Sequence, residues 1–258
     1  MPFFFLTVAL ALASPGQAEI PPLLKEVFAK ARDTSDRWAY TETTTTQTHD
    51  RGKEKTQVTI IRFDPSQPYA EQYRPVQVNS HPPTERDLKK YREKGKKRGE
   101  AWEKTGAKPR IPQGDELVAK VDLAHIAVTD ETESAVTYSV PLRKGVKMRG
   151  VALDKFHLLI RINKERRILE NFTVTLLESM RVKLVANIKS GVFSVDFSAI
   201  DPKYPVVMTR LQGNADLTLF FLKKLTADLA VTRTDYKRVT PYNDRFGVEI
   251  GPLNVLEL

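Results

Sequence analysis

The stretch LLIRINKERR ILENFTVTLL ESMRVKLVAN IKSGVFSVDF, residues 158–197, carries the plainest periodicity in the chain. Ile168, Phe172, Val174 and Leu176 fall on one parity; Asn171, Thr173 and Thr175 fall on the other. Val182, Leu184, Ala186 and Ile188 then alternate with Arg181, Lys183, Asn187 and Lys189. A period of two belongs to a strand with one face toward a core and one toward water. Asn163-Lys164-Glu165-Arg166 reads as a hairpin turn between Leu158–Ile162 and Ile168–Leu177, and Ser190-Gly191 as a turn into Val192–Phe197.

The same texture extends both ways. Downstream lie Val206–Leu211, a turn at Gly213-Asn214, Leu217–Leu222 and Leu225–Val231. Upstream, Trp38–Thr48 and Lys55–Phe63 flank the turn His49-Asp50-Arg51-Gly52, with Val58 and Ile60 on one face and Ile61 and Phe63 on the other. Tyr69–Val78 is a weaker strand whose Pro75 suggests an edge or a bulge. Val121–Val128 and Ala135–Val140 complete the set. The pattern predicts a β-rich α+β fold: a curled antiparallel sheet of about eleven strands, a half-open barrel, with helices packed as a lid. A short helix in residues 19–37 carries Leu23, Leu24, Val27, Phe28 and Ala31 on one face and should lie against the sheet that follows.

Three further segments stand apart. Phe3–Ala13 is apolar except for Thr7, and Gly16-Gln17-Ala18 supplies small residues before Glu19; residues 1–18 read as a secretory signal peptide, although Met1-Pro2 brings no basic residue ahead of it. Residues 19–240 read as a single β domain and 241–258 as a C-terminal tail. Thr84 caps a helical, mobile excursion over residues 84–114, interrupted by Gly95 and Gly99. Between Thr84 and Arg110 there are eleven basic and five acidic residues, a surplus of six out of the net +9. A single basic element suits an anionic membrane surface or an envelope partner. Its candidate contacts are Arg86, Lys89, Lys90, Lys94, Lys96, Lys97 and Arg98. Export argues against nucleic acid as the partner.

The chain has no cysteine, which excludes thiol chemistry, Cys-ligated zinc and a lipidated cysteine anchor. Its four histidines, His49, His81, His125 and His157, show no metal-ligand spacing. No phosphate loop and no nucleophile elbow appear. No metal, no cofactor and no catalytic residue are therefore assigned, and the localisation expected is periplasmic.

The aromatic-led strand at Trp38-Ala39-Tyr40, the segment Val121-Asp122-Leu123 through Tyr138-Ser139-Val140-Pro141, and Leu158–Phe172 resemble the periplasmic lipoprotein carrier and lipoprotein-receptor family, over roughly residues 20 to 237. The resemblance implies a half-closed barrel lidded by helices, with acyl chains bound in its hollow, and a lipid or acylated protein as ligand. The basic excursion is longer and more charged than such a lid, and the family's functional arginine is carried over to no position. The residues expected to line the hollow are Trp38, Tyr40, Val58, Ile60, Phe172, Val174, Phe193, Phe197, Leu217, Leu219 and Phe221. Two other readings stand beside a non-enzymatic carrier: an envelope scaffold with a filled core, and a hydrolase whose site is spread across strands.

Overall fold

The computed structural model describes residues 19–30, 37–50, 52–105, 119–148, 151–182, 186–219 and 223–246. The expected signal peptide, Phe221, residues 106–118 and the tail from 247 onward lie outside the described residues.

The chain runs through α1 (Pro22–Lys30), β1 (Trp38–Asp50), β2 (Lys53–Phe63), a 3₁₀ turn (Tyr69–Glu71), β3 (Tyr73–Val78) and α2 (Glu85–Thr105). Then follow β4 (Ala127–Glu131), β5 (Ala135–Pro141), the small ribbon β6 (Lys147–Met148) and β7 (Val151–Ala152), β8 (Phe156–Asn163) and β9 (Ile168–Leu176). The last elements are β10 (Met180–Val182), β11 (Ala186–Ser198), β12 (Val207–Leu219) and β13 (Lys223–Arg238).

Eleven of these strands form one antiparallel sheet in the order β3-β2-β1-β13-β12-β11-β9-β8-β5-β4, with β10 beside β11. The sheet is not closed into a barrel: β3 and β4 are its two edges. Sequence neighbours pair almost throughout, as in a meander, but β1 pairs with β13, so the first strand meets the last in the middle. The connection containing α2 accordingly leaves the sheet at one edge and re-enters at the other. Pro75 sits on the edge strand β3 beside a register shift, where a missing N–H breaks no ladder.

Two glycine-containing pairs that read locally as turns are not turns. β11 runs unbroken through Ser190-Gly191 with a register shift beside it, and β12 runs through Gly213-Asn214. Neither glycine has a left-handed φ, whereas Gly52, in the β1–β2 turn, has φ +79°. Gly213 stands opposite Phe193, and a Cβ there would come within 2.8 Å of that ring. The residue is small because an aromatic ring lies over it.

Directly opposed residues of an antiparallel pair share a face. One row can be followed across ten strands: Val78, Thr59, Thr44, Val231, Leu211, Val195, Phe172, Ile160, Tyr138 and Val128. This is the inner face. The alternate residues, such as Thr43, Thr232, Arg210, Asp196, Asn171, Arg161 and Thr137, make a polar outer face.

Both helices lie on the inner face. Leu24, Val27 and Phe28 of α1 pack on Val136, Tyr138, Val140, Ile160 and Ile162. Burying three such side chains contributes roughly 1.5–3 kcal/mol each. The helix thus sits on β5 and β8, and not on the strand that follows it. The reason is chemical: beyond Tyr40 the inner face of β1 offers Glu42, Thr44 and Thr46, with nothing apolar for α1 to cover.

At the other side of the sheet, Trp38, Tyr40, Phe63 and Val207 form a second core with Tyr73 and Tyr236. α2 docks beside it. Thr84 caps the helix: its hydroxyl accepts from the Asp87 amide at 3.3 Å, while the Asp87 carboxylate accepts from the Thr84 amide at 3.0 Å and hydroxyl at 2.6 Å. The helix continues unbroken through Gly95 and Gly99, both buried against Tyr69. These glycines form a contact seam and do not interrupt the helix.

Candidate functional site

Between the two helices the inner face is apolar but incompletely covered. Phe172 and Val174 of β9, Phe193 of β11, Leu211, Ala215 and Leu217 of β12, and Leu225, Ala227 and Leu229 of β13 are all half-buried, with Val195 and Val231 buried among them. On the other face of β12, Gln212, Asn214 and Asp216 are exposed. The alternation therefore produces a trough with an apolar floor and a solvated back.

The residues expected to line a hollow divide into four groups. Phe172, Val174, Phe193 and Leu217 lie on the trough, and the Phe197 ring lies 5.8 Å from that of Phe172. Trp38 and Tyr40 share the face but are only 3% and 6% exposed, sealed within the aromatic core. Val58 and Ile60 stand opposite Thr45 and Thr43, on the outer face, while Ile61 and Phe63 point inward. Leu219 occupies the register position opposite Lys223 at the end of β12, and Phe221 is outside the described residues. Leu211, Leu225, Leu229 and Val231 were not in the expected set. The alternation Leu225, Ala227, Leu229, Val231 was legible, but the supposed turn at Gly213 broke the strand that would have linked it to Phe193.

The trough grades into a polar end. The Glu42 carboxylate accepts from Arg233 Nε at 2.8 Å, both side chains being 20% exposed, and the guanidinium lies 4.3 Å from the Tyr40 ring centroid. Burial drives the Tyr40 hydroxyl far above its ordinary pKa, partly opposed by Arg233. Burial likewise pushes the Tyr236 hydroxyl up to about 12, and that hydroxyl donates to the Met208 carbonyl. Both groups are neutral donors over the ordinary pH range. Under α2 a recess of about 200 Å³ is lined by Thr44, Thr46, Gln57 and Thr59 of the sheet and by Asp87, Lys90 and Tyr91 of the helix.

The seven basic residues singled out on the excursion also separate. Arg86, Lys89, Lys90, Lys96 and Lys97 are exposed. Lys94 is exposed too, with its ammonium 4.8 Å from the Tyr73 ring centroid. Arg98 turns inward: it donates to the Tyr73 hydroxyl at 2.6 Å and lies 5.2 Å from the Phe63 ring centroid. It belongs to the packing of α2, not to a free surface.

Among the described residues no cluster of His, Asp or Glu is placed to hold a metal ion. Ser139 Oγ and His157 Nε2 are 2.7 Å apart on the outer face, with no carboxylate among the described residues on the other ring nitrogen. Asp122 holds His125 at 2.9 Å, exposed to solvent. No helix among the described residues is long and apolar enough to cross a membrane.

No protein-family model matches the chain, and no curated protein matches it either. Among solved structures, a LolA superfamily protein from Nitrosomonas europaea is similar at 10% identity, covering 88% of this chain and 96% of that one, with a TM-score of 0.32. A likeness at that score assigns no function, which has to rest on this chain's own residues.

Proposed function

We propose that this chain is a non-enzymatic binder and carrier of an acyl-bearing ligand, a lipid or a lipidated protein, working in the periplasm. The observation that carries the reading is the half-buried apolar trough of Phe172, Val174, Phe193, Leu211, Leu217, Leu225 and Leu229, lying between two helices on one face of the sheet. A side chain row that is apolar and left half open has surface to give to a ligand, and each buried CH₂ of an acyl chain contributes about 0.8 kcal/mol. Such binding requires no catalytic group. The exposed basic side of α2 supports contact with an anionic membrane surface or an envelope partner, and the signal-like residues 1–18 support export.

Native mass spectrometry of protein purified from its own host, combined with uptake of an apolar fluorescent dye and its displacement by a fatty acid, tests the reading. A bound lipid mass or displaceable dye is expected. A clean apo mass together with no displaceable dye would leave a filled-core scaffold in its place.

A further inference from the structure

Arg238, at the end of β13, stands opposite Trp38 in the β1–β13 register. Its guanidinium carbon lies 4.1 Å from the centroid of the Tyr204 ring and 5.2 Å from that of Trp38. The two rings meet edge to face at 5.9 Å. A permanent cation is thus held in an aromatic corner. Two donors there are shut off from water and have no hydrogen-bond partner among the described residues: Nη1 of Arg238 and Nε1 of Trp38, the latter on a side chain only 3% exposed. The contrast with Arg233 is direct. That guanidinium also lies over a ring, but Glu42 neutralises it at 2.8 Å. Arg238 has no carboxylate within salt-bridge distance among the described residues.

Buried donors are nearly always bonded, and a shielded cation calls for a counter-charge. The ring faces offset part of the charge but accept no bond in the plane of the guanidinium. We propose that this corner binds an oxyanion, the terminal oxygens of a phosphate or carboxylate group, with Arg238 Nη1 and Trp38 Nε1–H as its donors. Guanidinium N–H groups match the oxygens of such a group, and the indole supplies one rigid donor beside them. Tyr204, on the loop between β11 and β12 and 37% exposed, forms the wall nearest solvent. The corner lies beyond Tyr236 at the strand ends, apart from the trough, so its occupation does not depend on the acyl-carrier reading. A free anion and a lipid headgroup present the same chemistry to it.

The chain has two tryptophans, so Trp102→Phe leaves Trp38 as the indole reporter. That protein is titrated at constant ionic strength with inorganic phosphate and, separately, with a short monoalkyl phosphate below its micelle concentration, sodium chloride serving as the blank. A saturable change in Trp38 emission is expected, weakened roughly tenfold or more by Arg238→Gln and less by Arg238→Lys, as for loss of a charge-assisted bond. Equal affinity for the two probes identifies a free anion as the source. Tighter binding of the alkyl phosphate, with the same dependence on Arg238, identifies a headgroup. Thermal unfolding supplies a second readout: phosphate raises the midpoint of the parent but not of Arg238→Met, which without anion unfolds no lower than the parent. The proposal is overturned by absence of a saturable response to both probes, by equal responses in the Arg238 variants, or by a lowered midpoint of Arg238→Met that phosphate shifts as it does the parent's.

Discussion

The carbonyl oxygen of Tyr69 lies directly against Gly95: a Cβ built at that glycine would stand 1.9 Å from the oxygen, and one at Gly99 would stand 2.4 Å from the Tyr69 ring. Two glycines one turn apart let α2 approach the 3₁₀ turn backbone to backbone. The consequence is a reversed substitution rule. In an exposed helix interior alanine is better than glycine by about 1 kcal/mol. Here Gly95→Ala is expected to lose roughly 1–3 kcal/mol, because a backbone atom has to move. Urea unfolding reads it directly; a midpoint equal to or above the parent's would mean that α2 is not seated on Tyr69.

The assignment of faces separates two substitutions that look alike in sequence. Leu229 lies on the trough and Val58 on the outer face, and both are half-buried. Leu229→Lys is expected to weaken uptake of an apolar dye by roughly tenfold, the effect of setting a charge in the path of an apolar ligand. Val58→Lys leaves uptake within about twofold, since surface changes away from a binding face do little. Equal loss in both would deny the trough its role.

The split among the basic residues yields a similar contrast. Reversing Lys89, Lys90 and Lys97 to Glu removes exposed charges that, unlike Lys94 and Arg98, are stacked on no ring among the described residues. At about 1 kcal/mol per basic residue near an anionic surface, the triple variant should bind anionic vesicles at low salt at least a hundredfold more weakly. Its unfolding midpoint should be unchanged. Arg98→Gln should do the opposite, lowering the midpoint through loss of the Tyr73 bond and the Phe63 contact while vesicle binding falls by no more than the loss of one charge. Vesicle sedimentation on the two proteins checks both halves.

Asp64 supplies a pH dependence. Burial alone would raise its carboxyl, but it accepts from the Ser66 hydroxyl at 2.6 Å, the Ser66 amide at 2.9 Å and Gln67 at 3.4 Å, and the net pKa lies below the ordinary value. A depressed folded pKa means that the ionised form is favoured by folding. The contribution is complete above the unfolded value, about 3.9, and disappears as pH falls through the folded one. Asp64→Asn should therefore be less stable than the parent at neutral pH, with the gap closing below about pH 3.9. A gap constant down to pH 2 would assign the loss to geometry instead.

Strand identity was largely legible along this chain, and so was the division of a strand into two faces. Phe172, Val174 and Leu176 share one face by parity, because successive side chains of a strand point oppositely whatever the strand pairs with. The cap at Thr84 was legible too: it is made within one turn of backbone. Which face turns inward was not legible in β2, where Val58 and Ile60 were expected inside and Ile61 and Phe63 are the buried pair. Nor was the register shift beside Arg161, which sets Leu169 and not Ile168 opposite the buried Ile162.

The remainder depends on contacts between residues far apart in sequence. A glycine reads alike whether it is needed for a left-handed turn, as at Gly52, or for room under a ring, as at Gly213, Gly95 and Gly99; only the neighbour decides. Placement of α1 on β5 and β8, and the pairing of Trp38 with Arg238, close loops that no local periodicity describes. The residues by themselves determined a curled, one-sided antiparallel sheet with a basic helix beside it. Tertiary structure alone decided that its first and last strands meet, which aligns β13 with β12 and β11 into a trough and sets the Arg238 guanidinium against the indole of Trp38. Periodicity is set by the backbone of each strand, whereas register between distant strands is set by which side chains can be buried together.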